Sequence, residues 1–415
     1  ENRRPVISAA IANAGEAPTV EMTVANAPVD AVYAGGIVTY TPAEDLAEGR
    51  TSVTVTVTRA DGKVATKTWS FTVGVSTQQL YFGQLHSHTT YSDGSGSLDT
   101  ALDYIAGLPD SANIDFVAFT DHSNYFDKSG EANPEGALYD MSLATAYSQE
   151  RWAEFQGKVD SFNAAHSDLI ALGGFEMTWS GGPGHINTWN TPGIVSRNNA
   201  TLNNKTADAG MKAYYALLSR PEGAGSISQF NHPGATFGNF SDFSYWDALI
   251  DSRIFLVEVG NGEGAIGAGG YYPSYEQYTL ALDKGWHVAP TNNQDNHKGR
   301  WGNANDARDV ILTDDFSEQG LYQAIRDLRV YATEDKNLEL YYTVNGLPLG
   351  SVMEEVPETL DLNVQVSDPD AADSISKVEV IVNSGKVAYT WDDPAMLAAG
   401  ELSCTLEPTY SYYYI

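Results

Sequence analysis

The sequence predicts a multidomain chain, with a central α/β barrel of seven strands flanked by two small β-sandwich domains. Three observations carry this reading. Residues 1–76 and 337–415 show the two-residue apolar and polar alternation of half-buried strands, whereas residues 77–336 alternate short apolar runs with helix-period segments. In that middle part, six of the eight histidines fall just past predicted strand ends, where an α/β barrel places its chemistry.

Taken in order, the first domain (1–76) alternates over 19–25, 36–40, 51–58 and 67–73, with turn signals such as Asp61-Gly62 between strands. This suggests an immunoglobulin-like sandwich, a fold that more often serves as spacer than catalyst. The middle domain (77–336) predicts strands near 81–86, 114–120, 169–175, 225–231, 254–259, 286–292 and 329–333. Amphipathic helices are expected near 98–107, 145–165, 206–219, 274–284 and 317–328. Helical crossovers between strands imply a parallel sheet, most simply one closed into a barrel. Residues 123–143 and 178–205 are too long for plain connections and are expected to shape a cleft. The last domain (337–415) alternates over 338–344, 360–366, 377–382 and 387–391, and Asn345-Gly346 is a strong hairpin signal. The run Tyr412–Ile415 suggests that the last strand is cut short.

Composition sets bounds on partners. With 415 residues, 42% of them hydrophobic, the chain can fill several cores. A formal charge of −31, from 54 Asp+Glu against 23 Lys+Arg, disfavours nucleic-acid polymers and anionic membranes as partners. Cys404 is the only cysteine, which excludes an intrachain disulfide and a thiolate zinc site. No stretch reaches the roughly 18 apolar residues of a membrane-spanning helix. Together with the β-rich flanks, this fits an exported bacterial protein, extracellular or at the cell surface. The oligomeric state is not legible.

The chemistry starts at Leu85–Gly94. His86 and His88 lie two residues apart at a strand end and so point to one side, and the following turn can return Asp93 beside them. The second strand ends in Asp121-His122 and the third in Glu176, with His185 nine residues on. The fourth ends in His232, and the sixth in Asp295 and His297. One such histidine is ordinarily a hydrogen-bonded core residue; six with well-placed carboxylates are hard to explain that way. His166 and His287 keep the ordinary reading, and three aspartates at 368, 370 and 373 fit a solvated turn better than a calcium site.

These residues resemble the PHP (polymerase and histidinol phosphatase) metal-dependent phosphoesterases over about residues 80–335. The matching motifs are His86-x-His88 with Asp93, Thr120-Asp121-His122, Glu176 with His185, Asn231-His232-Pro233 and Asp295-x-His297. The strings Thr120–Asn124 and Asp295–Gly299 look like the branch that includes the carbaryl hydrolase. The resemblance implies a distorted seven-stranded (β/α) barrel holding three divalent ions, Zn, Mn or Fe. The first ion would take His86, His88, Glu176 and Asp295; the second Asp93, His122 and His297; the third Glu176, His185 and His232. Asp121 would orient a ligand histidine.

The implied reaction is hydrolysis of a small phosphorylated substrate, monoester or diester, by a metal-activated hydroxide at a trinuclear site. Asp93, Glu176 and Asp295 are the catalytic candidates, with Arg300, Lys298 or Lys128 as the cation facing the substrate and Glu258 and Asn261 lining the pocket. Loop aromatics Tyr125, Phe126, Trp179, Trp189, Trp246, Tyr271, Tyr272 and Trp301 are split between packing loops and stacking on a substrate. The same site could hydrolyse a carbamate or carboxylic ester. A non-catalytic carbohydrate-binding or adhesive protein is the remaining alternative, against which stands the complete ligand set.

Overall fold

In the computed structural model, which describes residues 3–47, 49–73, 78–128, 131–370 and 373–415, one large curled sheet organises the middle of the chain. Its strands are β1 (Gln79–Gln84), β2 (Phe116–Phe119), β3 (Ile170–Thr178), β4 (His185–Trp189), β5 (Ile227–Asn231), β6 (Ile254–Asn261), β7 (Ala289–Asn293), β8 (Arg308–Thr313) and β9 (Val330–Thr333), with a short strand Tyr272–Pro273 beside β6. Pairing runs β7-β6-β5-β4-β3-β2-β1-β8-β9. Every expected strand and helix of this region is present within a few residues of its expected bounds.

The sheet corrects the strictly parallel expectation. Strands β1, β2 and β3 are mutually parallel, as are β5, β6 and β7. Between these groups β4 runs antiparallel to both neighbours, and β8 and β9, joined through the helix Glu318–Arg326, add an antiparallel pair to the outer side of β1. Neither β4 nor β8 is among the strands expected from the sequence; both are buried throughout, and β4 lies inside the stretch 178–205 expected as a long loop.

The curl brings β7 back to β1. Past β1 and β7 the chain forms a parallel bridge between Ser87 and Asn296, with His88 N donating to Asn296 O at 2.9 Å. Beneath it, Asp309 on β8 accepts from the backbone amides of Leu85 (3.0 Å) and Asn292 (2.6 Å), and Gln84 reaches the carbonyls of Asn292 and Ala307. Side chains therefore close what the ladder leaves open. Gly83 lets β1 and β2 approach: a Cβ there would lie 2.2 Å from Phe116 O.

Helices pack outside the sheet, and three of them are started by a side-chain cap. Ser97 caps Leu98–Ala106, which buries Leu98, Ala101, Leu102 and Ile105. Thr145 caps Ala146–Ala165, which buries Trp152, Phe155, Val159 and Phe162. Ser317 caps Glu318–Arg326, which buries Leu321, Tyr322 and Ile325. The apolar residues of these faces belong to the two clusters that fill the middle of the molecule.

Each flanking region is a pair of small antiparallel sheets sharing one hydrophobic cluster. In Gly49–Thr58, Val53, Val55 and Val57 point inward, while the hydroxyls of Thr54 and Thr56 meet those of Thr68 and Thr66 across the strand pair. Leu360–Ser367 alternates in the same way, and Asn345 and Gly346, both with positive φ, form the expected two-residue turn. Strand Glu401–Leu406, whose bounds the sequence reading did not give, carries Cys404, half-buried, and Tyr413–Tyr414 completes the second sheet against Val378–Val382. The expected boundary at 76–77 lies outside the described residues. Among the described residues no helix is long and apolar enough to cross a membrane.

Candidate metal centre

Two short-range devices build the first part of the site. Past β1 the chain stays extended, so His86 and His88 project to the same side. The chain then turns: Gly94 N donates to Thr89 O at 3.0 Å, and Asp121 accepts from the amides of Thr89 and Ser92 (2.8 and 2.9 Å) and from both their hydroxyls (2.8 and 2.6 Å). This pinned turn returns Asp93 to the cluster. Among the described residues Asp121 makes no direct hydrogen bond to a histidine side chain. It acts through Ser92, whose hydroxyl lies 3.3 Å from His88 Nδ1.

All nine residues expected as ligands converge. Glu176, fully buried at the end of β3, lies at their centre. Its Oε1 is 3.1 Å from His185 Nδ1, 3.4 Å from His232 Nε2 and 3.6 Å from His86 Nε2, and its Oε2 contacts His122 Nδ1. Asp295 Oδ1 is 3.0 Å from His88 Nε2 and 3.3 Å from His86 Nε2. Asp93 Oδ1 is 3.3 Å from His297 Nε2 and 3.6 Å from His122 Nε2.

Three groups have ligand atoms within 4.8 Å of one another: His88, Asp93, His122 and His297; His86, Glu176 and His232; and His86, His88 and Asp295. The grouping differs in detail from the expected one. His88 also joins the Asp93 group, His86 also joins the Glu176 group, and His185 reaches the centre through Glu176 alone. A further trio, Asp335, Asp368 and Asp373, forms between the sheet and the last domain, while Asp370 pairs with Lys336 at 3.7 Å.

Hydrogen bonds fix which ring nitrogens face inward. His86 Nδ1 lies 2.8 Å from Glu258 Oε1, and Glu258 also accepts from His232 N and from the side chains of Gln229 and Asn261. His297 Nδ1 donates to Asp295 O at 2.8 Å. With their Nδ1 protons engaged, His86, His88 and His297 present Nε2 lone pairs to the cluster. Glu258 and Asn261 thus support the site from behind, and only the end of β6 hinted at them.

The charges of the cluster are strongly coupled. Burial alone would lower His86, but Asp295, Glu258 and Glu176 outweigh it and lift its pKa to about 10. Burial together with His122 and His297 lowers His88 to about 4. Burial would raise Glu176, yet His122 and His185 hold it well below the usual carboxylate range, and the hydrogen bond from His297 brings Asp93 to about 2. Buried Asp295 Oδ1 and His232 Nδ1 have no aligned hydrogen-bond partner. Carboxylates and inward imidazole lone pairs packed this densely, with no Lys or Arg paired to them among the described residues, fit divalent cations. His232 and Asp295 also adopt left-handed backbone, φ 29° and 47°, strain of the kind that concentrates at functional sites.

Around this centre the expected substrate cations are engaged elsewhere. Arg300 is exposed, and its guanidinium donates to the carbonyls of Ala304 (3.5 Å) and Glu263 (3.3 Å). Lys298 pairs with Glu263 at 3.1 Å, and Lys128 lies over the Tyr147 ring. Arg197, which the sequence did not single out, is half-buried with no carboxylate partner among the described residues. It donates to Thr178 O, and the Thr178 hydroxyl lies 2.8 Å from His122 Nδ1. Of the loop aromatics, Phe126, Trp179, Trp189, Tyr271 and Trp301 are buried packing residues, Trp301 donating to His88 O. Trp246 and Tyr272 are exposed. Tyr125 lies exposed beside His122, and Phe237, also missed, lies exposed beside His185 and His232.

No family model matches this chain, and no curated protein matches it. Among solved structures, the chain is similar to a crystal structure from Bacteroides vulgatus described as a two-domain protein containing a predicted PHP-like metal-dependent phosphoesterase. The identity is 15% and the TM-score 0.39, covering 81% of this chain and 85% of that one.

Proposed function

We propose that this chain is a metal-dependent phosphoesterase acting on a small phosphorylated molecule, with the outer β domains serving as immunoglobulin-like scaffolds. The observation that carries the reading is the set of three overlapping ligand groups around Glu176 and Asp295, built only from imidazole and carboxylate. Such ligands suit Zn, Mn or Fe, and three ions match the three groups. Bound there, the ions would supply Lewis acidity toward a phosphoryl oxygen and make water acidic enough to react near neutral pH.

The chain's own residues do the positioning. Glu258, Ser92 and the carbonyl of Asp295 hold the Nδ1 protons of His86, His88 and His297, keeping Nε2 free at the centre. Asp121 fixes the turn that carries Asp93. Arg197, which has no carboxylate partner among the described residues and donates to Thr178 O beside the Thr178–His122 contact, is the residue we add to Arg300 as a candidate for a substrate oxyanion.

Hydrolysis of a carbamate or carboxylic ester is the second reading. Lys298 and Arg300 are tied to Glu263 and to backbone carbonyls, so the rim offers few cations for a phosphate dianion. One experiment separates the two: elemental analysis of the purified protein, with p-nitrophenyl phosphate, bis-p-nitrophenyl phosphate and p-nitrophenyl acetate assayed with and without chelator. Two to three ions per chain with chelator-sensitive phosphate release supports the first reading. Acetate cleavage alone supports the second, and a protein that neither binds ions nor turns over any substrate defeats both.

A further inference from the structure

Phe237 is a large apolar side chain left 45% exposed, yet its ring centroid lies 4.7 Å from that of His232 and 5.2 Å from that of His185. Burying such a ring would normally be favourable, so an exposed one held against a polar centre calls for a reason. Its loop is not slack. Gly234 and Gly238 exchange both backbone hydrogen bonds, at 3.0 and 2.9 Å, closing a tight turn with Phe237 near its tip. Gly238 has φ +103°, and a Cβ there would lie 2.4 Å from Pro183 O, so the turn is seated on the segment leading to His185. Phe240 N then donates to Pro183 O at 2.7 Å and fastens the loop's exit.

A second exposed ring lies at the other end of the same row. Tyr125, 42% exposed, is 6.3 Å from His122 with its plane tilted by only 24°. His122 is 6.1 Å from His185, which adjoins Phe237. The four rings thus run Tyr125, His122, His185, Phe237, with exposed aromatic faces at both ends and ligand imidazoles between.

We propose that Phe237, assisted by Tyr125, selects substrates whose scissile ester carries an aryl group, the aromatic plane resting on Phe237 while the ester lies at the histidine centre. Resting on the hydrolase reading above, this names the substrate class. An aromatic pair favours offset or edge contact over an alkyl chain, which corresponds to a preference of roughly three- to tenfold. The rigid turn means that little ordering is required when the substrate arrives.

The test uses the full chain loaded with metal. Phenylphosphonate and ethylphosphonate, which cannot be hydrolysed at the phosphorus–carbon bond, are titrated into wild type, Phe237→Ala and Phe237→Trp. Wild type should bind the phenyl compound roughly three- to tenfold more tightly. Phe237→Ala should bring that ratio near one by weakening the phenyl compound alone, and Phe237→Trp should keep it. In turnover, the loss for phenyl esters should appear in KM rather than kcat. A ratio unchanged in Phe237→Ala, or equal weakening of both compounds, overturns the proposal. If neither phosphonate binds wild type, the phosphoester reading fails by itself, and the KM ratio of phenyl to ethyl acetate in the same three proteins decides the aryl preference.

Discussion

The Nε2 atoms of His86 and His88 face each other at 3.2 Å, deep in a site where neither ring is exposed. Glu258 and Ser92 accept from the two Nδ1 atoms, so in the neutral rings both inward nitrogens carry lone pairs. Two neutral rings so placed repel unless a proton or a metal ion lies between them, and without metal His86, with its pKa lifted to about 10, supplies that proton. The opposite displacements of the two pKa values, His86 upward and His88 downward, express the same constraint: the pair accepts one positive charge and resists a second. His86, His88 and Asp295 would hold a divalent ion there, which would satisfy both rings.

Glu258 should therefore control metal affinity without being a ligand. In Glu258→Gln the carboxamide can still accept from His86 but presents its NH2 where His232 N and Asn261 now donate. Metal affinity should fall by roughly 10- to 100-fold, read by competition with a chromogenic chelator, with little change in the far-ultraviolet dichroism. Unaltered affinity would show that His86 needs no such support.

Asp121 should matter to stability before chemistry. Its carboxylate takes two amides and two hydroxyls of the turn that follows His88. Asp121→Ala leaves the amides of Thr89 and Ser92 without their acceptor and should cost about 3 kcal/mol in urea unfolding of the metal-free protein. A loss below about 0.5 kcal/mol would mean that the turn is set by Gly94 alone.

How far the sequence could be read follows from what each feature leaves in it. His86 and His88 were legible because strand alternation is a local rule, and Asn345-Gly346 because a two-residue turn needs positive φ. His185–Trp189 was hidden: its pairing with both β3 and β5 buries all five residues, so a strand lay inside what read as a loop. Arg197 and Phe237 reach the site through loops whose course depends on distant contacts, Asn198 to Asn124 and Gly238 against Pro183. Arg300, near His297 in sequence, donates to the carbonyls of Ala304 and Glu263, contacts that its place in the sequence does not reveal.

Away from the site, His287 and Asp251 give a pH-dependent contact. The hydrogen bond from His287 Nδ1 to Asp251, 2.7 Å long, raises the histidine pKa. A histidine raised on folding stabilises below its unfolded pKa, and the contribution disappears as pH rises through the folded value. The side chain is 53% exposed, so solvent limits the effect to roughly a few tenths of a kcal/mol. His287→Gln should melt slightly below wild type at pH 5.5 and together with it at pH 9; the opposite order would contradict the pairing.

Glu176 and His166 make the sharpest contrast between a central residue and a bystander. Glu176 is within 3.6 Å of His86, His185 and His232 through one oxygen and contacts His122 through the other, so its charge is shared by most of the cluster. Glu176→Gln removes that charge and points an NH2 group at nitrogens that are themselves donors or metal ligands. The bound metal should fall by at least one ion per chain, and hydrolysis by about 10³-fold, equivalent to about 4 kcal/mol. His166, by contrast, ends the helix Ala146–Ala165, its Nδ1 on Phe162 O at 2.9 Å and its ring stacked on Phe162. His166→Gln should leave metal content and rate unchanged, with stability altered by about 0.5 kcal/mol or less. Elemental analysis and one hydrolysis assay on the two variants suffice: full activity in Glu176→Gln would remove Glu176 from the metal centre and, with it, the His86, Glu176 and His232 group on which the proposed three-ion chemistry depends.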